Sequence, residues 1–164
     1  MKELDFLSPD LAAPEAAWRS PLERALARAP ESVEDLSRTA VLEVLGDLDA
    51  LDATGGEVVR LTPERAVVLA PFEEAARLRE RLAAAGRLVV DVSAGWAGLR
   101  VRGETVMRRL TDLDLDSLPA AGALAHVRAL VLRDDPETFR IFVPQEYGHY
   151  VAEVVADAVQ GVSG

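Results

Sequence analysis

Cysteine is absent from the 164-residue sequence, so the chain has no disulfide framework and no thiolate for a metal site or for nucleophilic catalysis. Aromatic residues make up only 5% of it and histidine occurs twice. No apolar run approaches the roughly 18 residues that a membrane-spanning helix requires, and the first ten residues lack the apolar stretch of a signal peptide. We therefore expect a cytoplasmic protein with no membrane partner.

Basic residues are also scarce, because 18 Lys and Arg stand against 28 Asp and Glu, which gives a net charge of -10. Phosphate backbones repel such a chain, so we expect no nucleic-acid partner. The imbalance is concentrated early in the sequence, where residues 1–55 hold 5 basic and 12 acidic side chains. Residues 1–38 also contain prolines spaced too closely for one long helix. We predict an acidic, Pro- and Ala-rich arm over 1–38 and a single domain over 39–164.

One short helix is predicted within the arm. Ser20 fits an N-cap, Pro21 fits the first helical position, and Pro30 would end the helix. The helix would present Leu22 and Leu26 on one side. These two leucines either pack on their own domain or contact a partner protein, for which the acidic arm would seek a basic patch.

The rest of the chain alternates between strand and helix patterns. Residues 39–51 fit a strand or a short helix. Strands are predicted at 57–61, 65–70, 88–92, 99–102, 124–132 and 138–143, and helices at 72–85, 104–113 and 145–159. Because most strands are neighbours in sequence, we predict an α+β fold in which helices cover an antiparallel sheet.

A possible calcium loop is incomplete. Asp112, Asp114 and Asp116 alternate like the first ligands of such a loop, but the positions that require Gly and Glu hold Ser117 and Ala123. We interpret these carboxylates as solvated loop residues.

Other motifs for catalysis or cofactor binding are incomplete as well. Ser93 lacks the glycine that a nucleophile elbow places two residues earlier, where this chain has Asp91. His126 and His149 do not form a metal-binding pair on one helix, and we interpret both as structural. No glycine spacing matches a dinucleotide-binding loop. We assign no catalytic, cofactor-binding or metal-binding residue.

Three large aromatic residues remain. Trp96 lies in a glycine-flanked bend, and Tyr147 and Tyr150 are spaced to share one face of the last helix. Each is either a core residue or a binding hot spot. The candidate partner contacts are therefore Leu22, Leu26, Trp96, Tyr147 and Tyr150.

Several segments together carry a family resemblance. They are SPL at 20–22, LTPERAVVLAP at 61–71, DVS at 91–93, LRVRG at 99–103, LDLDSLPAAG at 113–122 and DPETFRIFVPQEYGHYV at 135–151. Residues 88–158 resemble the folate-binding fold of aminomethyltransferase T-proteins, and within that superfamily they are most similar to sarcosine oxidase γ subunits.

The chain departs from the enzymatic branches of this superfamily. It passes directly from RALVLR into DDPETF, without the longer excursion and acidic pair that position folate in T-proteins, and Ala94 follows DVS in place of a polar residue. It also lacks the second half of a T-protein and the cysteine motif of folate-dependent iron-sulfur maintenance proteins. We therefore expect negligible folate affinity.

The resemblance implies a noncatalytic γ-type subunit that assembles with α, β and δ subunits of a sarcosine oxidase-like complex. Those partners would hold the FAD, FMN, NAD, folate and zinc, and this chain would hold no cofactor. The complex would oxidatively demethylate sarcosine or a related N-methyl amino acid. Two alternatives are a free-standing folate- or small-molecule-binding domain of the same superfamily and a general interaction module.

Overall fold

The computed structural model describes residues 19–49, 51 and 55–163, which build two antiparallel sheets with helices on their outer faces. The helices are α1 (Glu23–Leu26), α2 (Ala75–Ala84), α3 (Glu104–Leu110) and α4 (Gln145–Ser163). The strands are β1 (Val33–Asp35), β2 (Thr39–Leu45), β3 (Glu57–Thr62), β4 (Arg65–Pro71), β5 (Leu88–Asp91), β6 (Trp96–Arg102), β7 (Ala120–Leu124), β8 (Val127–Asp135) and β9 (Thr138–Pro144). The α+β fold with helices over antiparallel strands is confirmed, but the strands divide into two sheets.

The smaller sheet has the order β3-β4-β2-β5 and comes from one continuous segment, 39–91. The ambiguous start of this segment is a strand, because its alternate residues can be buried on opposite faces. Helix α2 covers the outer face and inserts Leu78 and Leu82 between strand residues such as Leu42 and Val68. We call this sheet and α2 the four-stranded half.

The larger sheet has the order β1-β6-β9-β8-β7. Its outer face packs against α1, α3 and α4, and the aromatic and sulfur-containing side chains of Phe139 and Met107 are fully buried there. Gly148 of α4 is needed for close packing, because an added Cβ would lie 2.6 Å from the Ala97 Cβ. We call this sheet and its three helices the five-stranded half.

The inner faces of the two sheets pack on each other. Phe142, Leu130 and Leu132 of the larger sheet meet Val67 and Leu69 of the smaller one in a shared core cluster. Alternation along β2, β4 and β9 therefore buries both faces, one towards a helix and one towards the other sheet.

An arginine that binds two carboxylates joins the sheets beside this core. Arg140 of β9 binds both carboxylate oxygens of Glu57 in β3 at 2.6 and 2.8 Å, and it also pairs with Asp134 at 2.7 Å. The Arg140 side chain is only 16% exposed. This bidentate geometry fixes the relative position of two strands that lie in different sheets.

The predicted strand at 124–132 is wrong at its start. Ala125 and His126 have φ angles of 47° and 66° and form a two-residue turn between β7 and β8. Two successive positive φ angles suit the right-handed twist of a tight hairpin. The turn is held by a hydrogen bond of 2.8 Å from the Ala125 N–H to the Leu110 carbonyl.

The predicted arm also requires correction. Leu22 is fully buried in the core of the five-stranded half, and Leu26 is partly buried against it. Strand β1 pairs with β6, with Val33 opposite Val101. Residues 20–38 therefore contribute to the core, while residues 1–18 of the predicted arm lie outside the described residues.

Helix α1 is shorter than the helix predicted from Ser20. The Ser20 hydroxyl accepts a hydrogen bond of 3.0 Å from the Leu22 N–H and donates one to the Asp35 carboxylate. These contacts tie the start of the helical turn to β1. The helices predicted at 72–85, 104–113 and 145–159 are present, the first beginning as a 3₁₀ turn over Phe72–Glu74.

Candidate binding cleft and partner surface

A cleft opens where the two sheets diverge, at the end of the inter-sheet core. One wall belongs to the four-stranded half and includes Leu61 and Val67, and the other belongs to the five-stranded half and includes Trp96 and Leu130. Its volume is about 200 Å³. The remaining lining residues are Glu43, Arg65, Val92, Ala121, Arg128, Ala129 and Pro144.

Trp96 stands at the first position of β6, directly after the 3₁₀ turn Ser93–Gly95. It pairs in register with Pro144 and is partly buried against the inter-sheet core. The indole packs on the core and also forms a wall of the cleft.

Charged side chains stand among the apolar residues of the cleft. Arg65 pairs through its Nε with Glu43 at 2.5 Å. Arg128 is exposed and makes no hydrogen bond or ion pair with any residue that the structure describes. A second cavity of about 390 Å³ shares Arg65 and Arg128 with the cleft and adds Arg60 and Thr62 to the lining.

No sequence motif singled out Arg65 or Arg128. A usable signal exists in their phase, because Arg65, Val67 and Leu69 alternate along β4 towards the inner face. Arg128 is likewise in phase with Leu130. When a charged residue follows apolar residues on the inward face of a strand, it indicates that solvent reaches the space between the sheets at that point.

The DVS segment has a structural task in this protein. The Ser93 hydroxyl accepts a hydrogen bond of 2.9 Å from the Val41 N–H and donates one of 2.6 Å to Asp91. Ser93 is buried, and β5 ends two residues before it. Its hydroxyl therefore accepts the β2 backbone hydrogen bond that a neighbouring strand would otherwise accept. The Ser93 hydroxyl is therefore engaged by the β2 backbone and by Asp91.

Two of the three alternating aspartates, Asp114 and Asp116, make contacts that stabilise the fold. Asp114 accepts hydrogen bonds from Ser117 and from the Asp116 N–H, and the Ser117 bond in particular lowers the pKa of Asp114. Asp116 pairs with Arg133 at 2.8 Å. The contacts of Asp114 and Asp116 therefore stabilise the 3₁₀ turn Leu115–Ser117.

Arg133 connects three parts of the five-stranded half. Besides Asp116, it binds Glu104 of α3 at 2.6 Å and the Pro136 carbonyl in the β8–β9 turn at 2.8 Å. Glu104 also binds Arg108, and that hydrogen bond is the main reason that the pKa of Glu104 lies below its ordinary value. Arg133 is 19% exposed, so this network is partly shielded from solvent.

The two predicted tyrosines share an exposed surface on α4. Tyr147 is 47% exposed and Tyr150 is 46% exposed. The Tyr150 hydroxyl donates a long hydrogen bond of 3.4 Å to the Ala125 carbonyl, and its ring borders a shallow cavity of about 340 Å³ that also contacts Arg109 and His126. We call Tyr147 and Tyr150 the tyrosine surface.

The other predicted contact residues do not join this surface. Leu22 is fully buried and unavailable to a partner, and Leu26 packs on the core. Trp96 belongs to the cleft between the sheets. His149 is exposed and pairs with Glu153 one turn further along α4.

Within residues 19–49, 51 and 55–163, no group of three or more His, Cys, Asp or Glu side chains is placed to hold a metal ion. None of the helices in the same part of the chain is long and apolar enough to cross a membrane.

No protein-family model matches the sequence, and no curated protein matches it at a significant level. Solved structures do match the fold. A chain of heterotetrameric sarcosine oxidase from Corynebacterium sp. U-96, in complex with pyrrole 2-carboxylate, aligns with a TM-score of 0.72 at 21% identity. The alignment covers 90% of this chain and 97% of that chain.

Two further structures are similar at lower scores. The aminomethyltransferase T of the glycine cleavage system from Bartonella henselae has a TM-score of 0.58 at 16% identity, with 82% of this chain covering 48% of that one. This chain thus spans about half its length. The ligand-free regulatory subunit of aspartate kinase from Thermus thermophilus has a TM-score of 0.52 at 14% identity, covering 77% of this chain and 96% of that chain.

These alignments confirm the resemblance found in the sequence. The fold is shared with a chain of heterotetrameric sarcosine oxidase and with part of an aminomethyltransferase T.

Proposed function

We propose that this chain is a noncatalytic γ-type accessory subunit of a multi-subunit oxidoreductase related to sarcosine oxidase. One observation carries the proposal: the alignment accounts for 97% of one chain of a heterotetrameric enzyme and 90% of this chain. The aminomethyltransferase alignment leaves half of that enzyme without a counterpart here. The alignment coverage therefore fits one chain of the heterotetrameric enzyme better than a whole aminomethyltransferase.

The side chains considered for catalysis support a noncatalytic role. Ser93 holds the backbone of β2, Asp114 holds a 3₁₀ turn and Asp116 holds Arg133. These polar groups therefore serve the fold. Under this proposal FAD, FMN, NAD, folate and zinc are held by α, β and δ subunits, and the complex oxidises sarcosine or a related N-methyl amino acid.

The tyrosine surface is the contact that we assign to a partner subunit. Exposed tyrosines supply a large rigid ring and a polar hydroxyl, which is why tyrosine is enriched in binding hot spots. Leu88 and Val90 form a second exposed apolar pair on the edge strand β5, at 64% and 44% exposure. Because this pair lacks an aromatic group, it serves as the matched comparison.

The test is purification of the affinity-tagged full chain from its own cells grown on sarcosine. We expect flavin-containing chains in stoichiometric amounts, together with sarcosine-dependent oxygen consumption. The double variant Tyr147→Ser/Tyr150→Ser should recover at least tenfold less of these chains, while Leu88→Ser/Val90→Ser should recover them normally. Recovery of the chain without any flavoprotein would contradict the subunit proposal.

The second candidate function is ligand binding by a free-standing domain of the same fold. The cleft between the sheets favours it, because apolar walls occur there together with Arg128, which has no polar partner among the described residues. Its volume of about 200 Å³ suits a small molecule better than the whole of folate. In this case the purified chain binds its ligand and no flavoprotein accompanies it.

A further inference from the structure

The cleft between the sheets has the composition of a ligand site. Its walls are largely aliphatic, and the partly buried indole of Trp96 offers a flat surface at one side. Small-molecule sites are typically apolar concave surfaces with a few polar groups that fix orientation. Leu61, Val67 and Leu130 supply the apolar contact, so the occupant needs an apolar body.

The charges at the cleft indicate the sign of the polar group on that occupant. Arg128 has no polar partner among the described residues. Arg65 contacts Glu43 through Nε, and a guanidinium carries five N–H donors, so Arg65 retains donors after this contact. Among the described residues that line the cleft, Glu43 is the only acid, and Arg65 offsets its charge. The cleft therefore presents a net positive charge in a chain of net charge -10.

The volume limits the size of the occupant. An engineered cavity of about 150 Å³ holds one benzene molecule. The cleft, at about 200 Å³, thus has room for one ring or branched aliphatic group and a small polar substituent. The adjoining cavity shares Arg65 and Arg128, which places the cationic groups between the apolar space and a second opening.

From these observations we propose that the cleft binds a small carboxylate that carries one apolar ring or one branched aliphatic chain. The apolar group packs between Trp96 and Val67, and the carboxylate binds Arg128 with help from Arg65. A guanidinium binds a carboxylate through two parallel hydrogen bonds, which gives orientation as well as affinity. The proposal does not depend on the subunit function, because every contact comes from this chain.

The test uses the full-length chain carrying Trp18→Phe, so that Trp96 is the single indole. Phenylacetate and isovalerate are titrated separately while the Trp96 fluorescence is recorded. We expect a saturable change with at least one of them. Phenylacetamide, which matches phenylacetate in shape but lacks the charge, should bind at least tenfold more weakly.

The arginine variants separate specific binding from adsorption to the apolar walls. Arg128→Gln should weaken the carboxylate at least tenfold, whereas Arg79→Gln on the distant exposed face of α2 should leave the affinity unchanged. Circular dichroism confirms that both variants are folded. The proposal is wrong if neither carboxylate gives a saturable signal, or if Arg128→Gln binds as tightly as the parent.

A partner protein is the competing occupant of the cleft. The purified complex is therefore titrated with the same carboxylates under the same conditions. Unchanged binding supports the small-molecule site. If the complex excludes a carboxylate that the isolated chain binds, the cleft is a protein interface and the proposal fails.

Discussion

The two halves of the molecule reach a similar architecture by different routes. The four-stranded half is one continuous segment, and its helix-side core contains only Ala, Val and Leu. The five-stranded half joins β1, from before that segment, to β6, which follows it, and it buries larger residues such as Phe139 and Met107. Pairing two strands that are far apart in sequence costs more loop-closure entropy. The five-stranded half closes the longer loop, and the larger apolar side chains buried in its core offset that cost.

The ion pairs also differ in their exposure to solvent. Arg133 and Arg140, at 19% and 16% exposure, each join separate elements of the five-stranded half or link it to β3. Beside the four-stranded half, Arg38, the residue before β2, pairs with Glu73 in the 3₁₀ turn before α2, and both side chains are about 60% exposed. Partly shielded pairs hold distant elements, whereas exposed pairs contribute little.

The largest expected effect tests whether the halves unfold together. Phe142→Ala removes a fully buried ring from the core between the sheets and should reduce the free energy of unfolding by about 3–5 kcal/mol. We expect one cooperative urea transition with a lower midpoint, because both sheets lose the same contact. Phe72→Ala, at a 44% exposed position, should change stability by less than about 0.5 kcal/mol. A two-step transition in Phe142→Ala would show that the halves are independent.

The next prediction tests whether residues 20–38 belong to the five-stranded half. Leu22→Ala should reduce the free energy of unfolding by about 2–5 kcal/mol, because the side chain is fully buried beside α4. Leu88→Ala removes the same atoms from a 64% exposed position and should cost less than about 0.5 kcal/mol. Equal midpoints for the two variants in urea denaturation would instead support an arm that is separate from the domain.

A smaller effect is expected from the ion pair between the sheets. A double-mutant cycle of Arg140→Gln and Glu57→Gln should give a coupling energy of about 1–3 kcal/mol, since the contact is bidentate and the arginine is mostly buried. The matching cycle of Arg38→Gln and Glu73→Gln should give about 0.2–1 kcal/mol. Equal coupling in the two cycles would remove the distinction drawn above between shielded and exposed pairs.

The smallest expected effect concerns acid pH. The hydrogen bond from Arg108 lowers the folded-state pKa of Glu104 below its ordinary 4.5. Because the folded pKa is the lower one, the pair stabilises the protein above the unfolded value and loses this contribution as pH falls through the folded value. Glu104→Gln should therefore destabilise the protein at pH 7 and converge with the parent once the pH falls below the folded-state pKa of Glu104. The exposed Glu31→Gln serves as the control in urea denaturation over this pH range, and a constant Glu104→Gln deficit would contradict the linkage.

Much of the fold was predictable because its signals are local. The helices beginning near Phe72, Glu104 and Gln145 follow from apolar periodicity, and the β3–β4 hairpin follows from two strand patterns around a proline turn. The turn at Ala125 and His126 was missed, since neither residue type signals a positive φ.

The candidate site was less predictable than the fold. Trp96 and the tyrosine surface were recognised as large aromatic residues, but their environments depended on which strands and helices became neighbours. Arg65 and Arg128 lie 63 positions apart in sequence and meet only because β4 and β8 belong to sheets that face each other. No local pattern encodes that approach.

The sequence by itself determined the three helices beyond residue 71, most of the strands, the acidic character and the incompleteness of the familiar catalytic motifs, since these depend on residue type and short-range spacing. Tertiary structure decided that the strands form two sheets, that Leu22 is a core residue and that apolar walls and arginine side chains line one cleft. Those outcomes depend on long-range pairing and burial, which the free energy of the whole chain selects.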